Sequence, residues 1–240
     1  MSNPSENGAR PRRVAAALFD LDGVLVDSRR PIAQCINHAL EREGLAPEPE
    51  AALHGFIGPP LRDCFAALLA ARGRSEDRVA SCIGHYRERY REVAPTETPA
   101  FPGIAACLEA LAPRLPLAVA TSKPEAFARP ILESLGLARH FRAIVGPPLR
   151  ETHAEDKTRT VARALAAFAP AAPGTPVAMI GDRHFDVRAG AAHALLTIGV
   201  TWGIGDEAEL REAGADLLVA SPFALRELLL GGSGEPGGAP

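Results

Sequence analysis

Two aspartates two residues apart, Asp20 and Asp22, close an apolar run over residues 14–19, and Gly23 follows them. A run of that length ending in turn residues predicts a strand buried on both faces. Residues two apart on a strand share a side, so both carboxylates should project together from its carboxyl end. In open α/β sheets that edge is where ligands bind. Gly23 lets the chain turn sharply and come close to a ligand. Two crowded carboxylates repel, and a hard cation with oxygen ligands is the natural counter-charge. Taken alone, the pair could equally be turn formers at a strand end.

Further polar groups follow two later apolar runs. Thr121, Ser122 and Lys123 follow one; Asp182 and Asp186 follow another. Asp182 and Asp186 are four apart, which puts both on one face if a helix begins there. Taken alone they could also be helix-start charges favoured by the macrodipole, and Thr121 a helix cap. The chain has only two lysines, Lys123 and Lys157, among many arginines. A compact ammonium suits a site that a guanidinium fork would overfill. Lys157 opens a predicted helix, a poor place for a cation on dipole grounds, which suggests a task for it.

Carboxylates, a cation, a hydroxyl and an ammonium together suit phosphoryl transfer. An aspartate attacking a phosphate dianion meets repulsion of about 4 kcal/mol per unit charge pair at about 4 Å in a medium of effective dielectric near 20. A divalent ion and a lysine offset that repulsion and stabilise the equatorial oxygens.

The elements that must position these groups can be read in order. After Ser28 the period becomes helical, with Ile32, Ile36 and Leu40 on one face and Gly44 as a stop. Helices are expected over residues 61–71 and 75–93, with no strand pattern between 29 and 98 and a boundary at Pro95 and Pro99. From residue 101 the pattern alternates. Strands are expected at 117–120, 143–145, 177–180, 196–200 and 217–219. Helices are expected at 103–112, around Phe127, Ile131 and Leu135, and at 158–169, 187–193, 207–212 and 223–230, with Pro130 kinking the second or marking its first turn. Alternation of this kind implies a parallel sheet with right-handed crossovers. The expected organisation is an α/β core over 14–28 and 99–230, an all-helical unit inserted over 29–98, and disordered ends at 1–13 and 231–240.

Bulk properties bound the rest. The chain has 240 residues, 47% hydrophobic and 23% charged, with a net charge of −3. That balance gives no footprint for a nucleic-acid polymer or an anionic membrane. No apolar run is long enough to span a bilayer, and the first dozen residues lack a signal-peptide core. Cys35, Cys64, Cys82 and Cys107 show no paired spacing and read as reduced core residues of a cytoplasmic protein.

Four ordered segments, LFDLDGVLVDS, AVATSKP, a downstream lysine and IGDRHFD, together resemble the haloacid dehalogenase-like hydrolases, in their phosphoglycolate phosphatase-like branch with a helical cap. The resemblance spans about residues 14–230. It implies a Rossmann-like parallel-sheet core and an Mg²⁺-dependent phosphatase of a small phosphate ester. It implies Asp20 as nucleophile, Asp22 as general acid and then base, and Thr121 and Lys157 as phosphate ligands with Ser122 beside them. It implies a metal on Asp20, the Asp22 carbonyl, Asp182 and Asp186. Many relatives carry Pro after the third-motif lysine, where this chain has Thr158. Residues 54–62 resemble the cap loop that faces the active site, which nominates Gly58 and Arg62 for substrate specificity. The alternatives are a nucleoside 5′-monophosphatase, a pyrophosphatase, a sugar phosphomutase, a dehalogenase and a non-catalytic binding protein of the same fold. The mutases carry a hinge His where this chain has Ile32, and the dehalogenases lack the second aspartate, here Asp22.

Overall fold

The computed structural model describes residues 14–149, 155–168 and 176–231. The expected disordered ends, apart from Gly231, and the last residue of the helix expected at 158–169 lie outside the described residues. The centre of the fold is β1 (Ala16–Phe19), whose four residues are all buried. Five more strands join it: β2 (Leu117–Ala120), β3 (Ala143–Val145), β4 (Val177–Gly181), β5 (Leu196–Val200) and β6 (Leu217–Val219). They form one parallel sheet in the order β3-β2-β1-β4-β5-β6. The chain therefore winds outward from β1 in one direction and then in the other. The crevice between β1 and β4 is the switch point where such sheets hold ligands.

Register makes that edge level. Phe19 of β1 pairs with Val119 on one side and Ile180 on the other. Asp20 follows Phe19 directly, and Thr121 and Asp182 lie two residues past Val119 and Ile180, so all three emerge at the same edge of the sheet. Alternate residues of β1 serve different cores. Ala17 and Phe19 pack with Ile180, Phe127 and Leu108 on one face, while Ala16 and Leu18 pack with Met179, Val161 and Ala164 on the other. This is the arrangement of a parallel sheet covered by helices on both faces.

Between β1 and β2 the described elements are helical: α1 (Arg29–Arg42), α2 (Glu50–Leu53), α3 (Leu61–Ala70), α4 (Val79–Glu97) and α5 (Ile104–Leu111). The outgoing and returning strands of this insertion are clamped together. Asp27 N–H donates to Pro99 O at 2.9 Å and Phe101 N–H to Leu25 O at 3.0 Å. The insertion's apolar interior, with Phe65, Leu69, Tyr86 and Tyr90, runs into the core beneath the sheet as one cluster. After β2 come α6 (Glu125–Ser134), α7 (Lys157–Phe168), α8 (His184–Ala192), α9 (Glu207–Glu212) and α10 (Pro222–Leu230).

Several boundaries differ from the sequence reading, each for a local reason. Ser75 accepts from Asp77 N–H and starts a 3-10 turn at Glu76–Arg78, so the regular helix α4 begins only at Val79. At its other end α4 runs through Pro95 to Glu97. Proline there forfeits one backbone hydrogen bond, and the buried Val93 and Ala94 hold the segment against the core. Pro130 likewise sits inside α6, past its first turn, because Phe127, Ala128, Ile131 and Leu132 bury one continuous face. Helix α8 starts three residues earlier than expected. The one-turn α2 carries too short a period to be read. All four cysteines are buried and free. Among the described residues no helix is long and apolar enough to cross a membrane.

Candidate active site

The two aspartates that follow β1 are held apart by different cations. Asp20 is buried, its amide bonded to Ile180 O at 2.9 Å. Its Oδ1 accepts from Lys157 Nζ at 2.6 Å. Asp22 lies three residues past the strand, half-buried, and its Oδ1 accepts from Lys123 Nζ at 2.6 Å. Both line the same cavity. Three amides, those of Val24, Leu25 and Val26, turn back onto Leu21 O, which makes the tight loop that Gly23 permits.

Gly23 is constrained twice. Its φ is +86°, a left-handed conformation that costs an L side chain about 1–2 kcal/mol. A Cβ there would also lie 2.0 Å from Asp182 Oδ2. Gly23→Ala should therefore lower both stability and turnover. Gly44→Ala meets φ +69° and no atom within 4 Å, so it should lower stability alone. Equal turnover of the two variants, after matching for folded fraction by denaturant titration, would contradict this reading.

Asp182 precedes α8 and does not share a helical face with Asp186. The argument from four-residue spacing fails, and a different device brings the two together. Asp182 follows β4 directly, and a loop after β5 wraps it: Ile204 N–H donates to its Oδ2 at 2.7 Å and Gly205 N–H at 3.5 Å. Gly203 and Gly205 make the approach possible, since a Cβ at either would sit 2.5 Å or less from Asp182 atoms. Asp186 lies in the first turn of α8 and accepts from Arg183 N–H at 3.2 Å. Gly181 clears space for it, because a Cβ there would lie 2.0 Å from Asp186 Cβ. Lys157, the first residue of α7, lies 2.8 Å from Asp186 Oδ1 and so bridges Asp186 and Asp20. The His193 ring, at the end of α8, pairs with Thr158 O at 2.9 Å and fixes the start of α7.

One carboxylate oxygen from each of Asp20, Asp182 and Asp186 lies within 4.8 Å of the others. All three residues are buried, and Asp182 Oδ1 has no hydrogen-bond partner. Burial, reinforced by Asp186 and Asp20, pushes the Asp182 carboxyl well above the ordinary range. Burial also raises Asp20, to about 6, with Lys157 pulling it down and Asp186 and Asp22 pushing it up. Burial alone would lower the Lys157 ammonium, but Asp186 and Asp20 outweigh it and raise it. An all-oxygen, over-anionic, buried cradle with an orphaned ligand atom fits a hard divalent cation.

Thr121 does not cap a helix. Its amide bonds to Val145 O at 3.0 Å, and its hydroxyl accepts from Lys123 N–H at 3.1 Å. Ser122 is half-buried and lines the cavity beside it. That cavity, about 790 Å³, lies between the sheet edge and the insertion. Phe56, Gly58 and Arg62 from the insertion and Phe185 from the core contribute to its walls. Gly58 has φ +103°. Arg62 is largely exposed and lies 3.9 Å from Glu76, so it reaches the cavity from its rim.

Three contributors were not foreseen. Arg183 donates to Ile57 O at 3.0 Å and to Glu209 at 2.9 Å, tying the insertion's loop to the core. Tyr90 of α4 accepts from Lys123 Nζ at 2.6 Å. The Gly203–Gly205 loop holds Asp182. Only that loop had a local signal, two glycines one residue apart just after a strand.

Comparison with known proteins gives concordant matches. The model of the haloacid dehalogenase-like hydrolase family matches residues 17–200. A 5′-nucleotidase of Pseudomonas aeruginosa is 40% identical over 217 residues, covering 88% of this chain and 94% of the relative. A phosphoglycolate phosphatase of Chromobacterium violaceum is 34% identical over 230 residues, covering 92% and 99%. A crystal structure of a predicted phosphatase from Clostridium acetobutylicum superposes with a TM-score of 0.78 at 33% identity, covering 91% of this chain and 99% of that one.

Proposed function

The chain belongs to the haloacid dehalogenase-like hydrolase family and is a phosphomonoester hydrolase, and from that premise we propose an Mg²⁺-dependent phosphatase that works through an aspartyl-phosphate on Asp20. One observation carries the reading. Asp20 stands among Asp182, Asp186 and Lys157 at the floor of the cavity, with Asp22 alongside on a separate cation.

The roles follow from these surroundings. With its carboxyl at about 6, Asp20 is mainly ionised at neutral pH despite burial, as a nucleophile must be. Its oxygen forms a bond to phosphorus as the ester P–O bond breaks. Asp22 gives its proton to the departing alcohol oxygen. In the second half Asp22 takes a proton from water, whose oxygen attacks phosphorus and frees Asp20 and inorganic phosphate. Thr121, Ser122 and Lys157 hold the phosphoryl oxygens. Asp20, Asp182, Asp186 and the Asp22 carbonyl would hold Mg²⁺, which supplies charge stabilisation to the phosphoryl oxygens. The helical insertion over residues 29–98 acts as the cap that closes the cavity and excludes water.

A chelator should remove activity and Mg²⁺ restore it, read as release of phosphate from a generic phosphomonoester. Full turnover after exhaustive chelation would overturn the metal assignment. The substrate we favour is a small phosphomonoester of the phosphoglycolate kind. A second reading, a nucleoside 5′-monophosphate, draws on the size of the cavity and on Phe56 and Phe185 in its walls, which could flank a base. Relative kcat/KM for the two esters decides between them. The mutase reading has little support, since the apolar Ile32 stands in the cavity wall where the mutases carry a histidine.

A further inference from the structure

The proposed reaction leaves the second buried lysine without a part. Lys123 is 8% exposed and spends two of its three N–H donors inside the protein, on Asp22 Oδ1 and on the Tyr90 hydroxyl, both at 2.6 Å. Its backbone is held as well. Its amide donates to Thr121 Oγ1, and the end of β3 comes so close that a Cβ on Gly146 would lie 2.2 Å from Lys123 O. Tyr90 is equally fixed. Its ring stacks on Tyr86 at 5.3 Å and meets Phe127 edge-on at 5.4 Å. Asp22, by contrast, stands beyond the end of β1 on a turn. The ammonium takes its Oδ1, and Asp22 lines the cavity in which an ester would lie.

We propose that Lys123 and Tyr90 are positioning residues that hold the Asp22 carboxyl in line for proton transfer, so that the acid–base group is in place only when α4 of the helical insertion is seated on the core. The inference rests on the phosphatase reading above. Neither residue is assigned contact with the reacting atoms. A buried ammonium shared between a carboxylate and a phenol fixes direction as well as charge. Because Tyr90 comes from the insertion and Lys123 and Asp22 from the sheet edge, the three-residue relay spans the boundary between them.

The test separates positioning from structure and from direct phosphate binding. Up to phosphoryl transfer, loss of a well-placed acid slows an alkyl ester, which needs a proton, far more than a p-nitrophenyl ester, which does not. For Lys123→Met, kcat/KM should fall about a hundredfold with an alkyl phosphate and about threefold or less with p-nitrophenyl phosphate. For Tyr90→Phe, which keeps the ring stack, the alkyl loss should be about tenfold, the effect of one hydrogen bond, with the aryl ester little changed. Parallel losses on both esters, expected if either residue serves folding or grips the phosphate, overturn the proposal, as does no loss on either. A wild-type chain that turns over neither ester overturns the phosphatase reading itself, a result distinct from parallel losses.

Discussion

Asp20→Asn should abolish the covalent phosphoryl-enzyme, whereas Asp22→Asn should still form it from an activated ester and then hold it. The two residues are two apart in sequence but occupy separate electrostatic sites. Asp20 is buried against Lys157 and shares a cradle with Asp182 and Asp186; Asp22 is half-buried against Lys123. An amide at residue 20 is a poor nucleophile, so turnover should fall on the order of 10⁴-fold or more, as when other enzymes lose a nucleophile. An amide at residue 22 keeps the backbone carbonyl and the nucleophile but can neither give nor take the proton. With p-nitrophenyl phosphate the first step then survives, and the second, attack of water on the acyl phosphate, slows. Labelled phosphate trapped by rapid quench should be stoichiometric on Asp22→Asn and absent on Asp20→Asn. Stoichiometric label on Asp20→Asn, at any other residue, would remove the nucleophile assignment and with it the proposed mechanism.

The sheet was legible because buried parallel strands are short apolar runs ending in turn residues, and β2, β3, β5 and β6 fall where that pattern places them. Helix ends were less legible. Proline was read as a stop at Pro95, yet α4 continues through it, because a packed face outweighs one lost hydrogen bond. At the site, residue types pointed to strand ends that line one cavity in the structure, but the geometry joining them did not come from local spacing. Asp182 meets Asp186 through a loop from the far side of β5, not through a shared helical face. Tyr90 and Arg183 carried no local signal, since each acts on a partner dozens of residues away. Lys123 and Lys157 stood out in sequence only as the two lysines of an arginine-rich chain. The structure separates them by partner, one on each aspartate.

That separation sets a ranking. Lys157→Met should lower kcat/KM with p-nitrophenyl phosphate by about 10³-fold, near the upper range for removing one preorganised charge donor, while Lys123→Met should cost only a few-fold in kcat/KM on the same ester. Lys157 is also the ammonium that bridges Asp20 and Asp186, so its loss leaves these two buried carboxylates without their protein counter-charge. Removing one partner of a buried ion pair typically costs about 3–5 kcal/mol, and part of that cost here is met by carboxyls taking up protons. The metal-free variant should therefore melt well below the metal-free wild type. Binding of Mg²⁺ to the folded state alone raises stability by mass action, and it should raise the variant more, because the cation meets an emptier and more anionic cradle. Stability would thus return with Mg²⁺ while turnover would not, since the ammonium proposed to grip the phosphoryl oxygens is gone. The measurements are thermal melts with and without Mg²⁺ beside steady-state kinetics. The reverse order of the two lysines on the aryl ester would move the phosphate-holding role to Lys123.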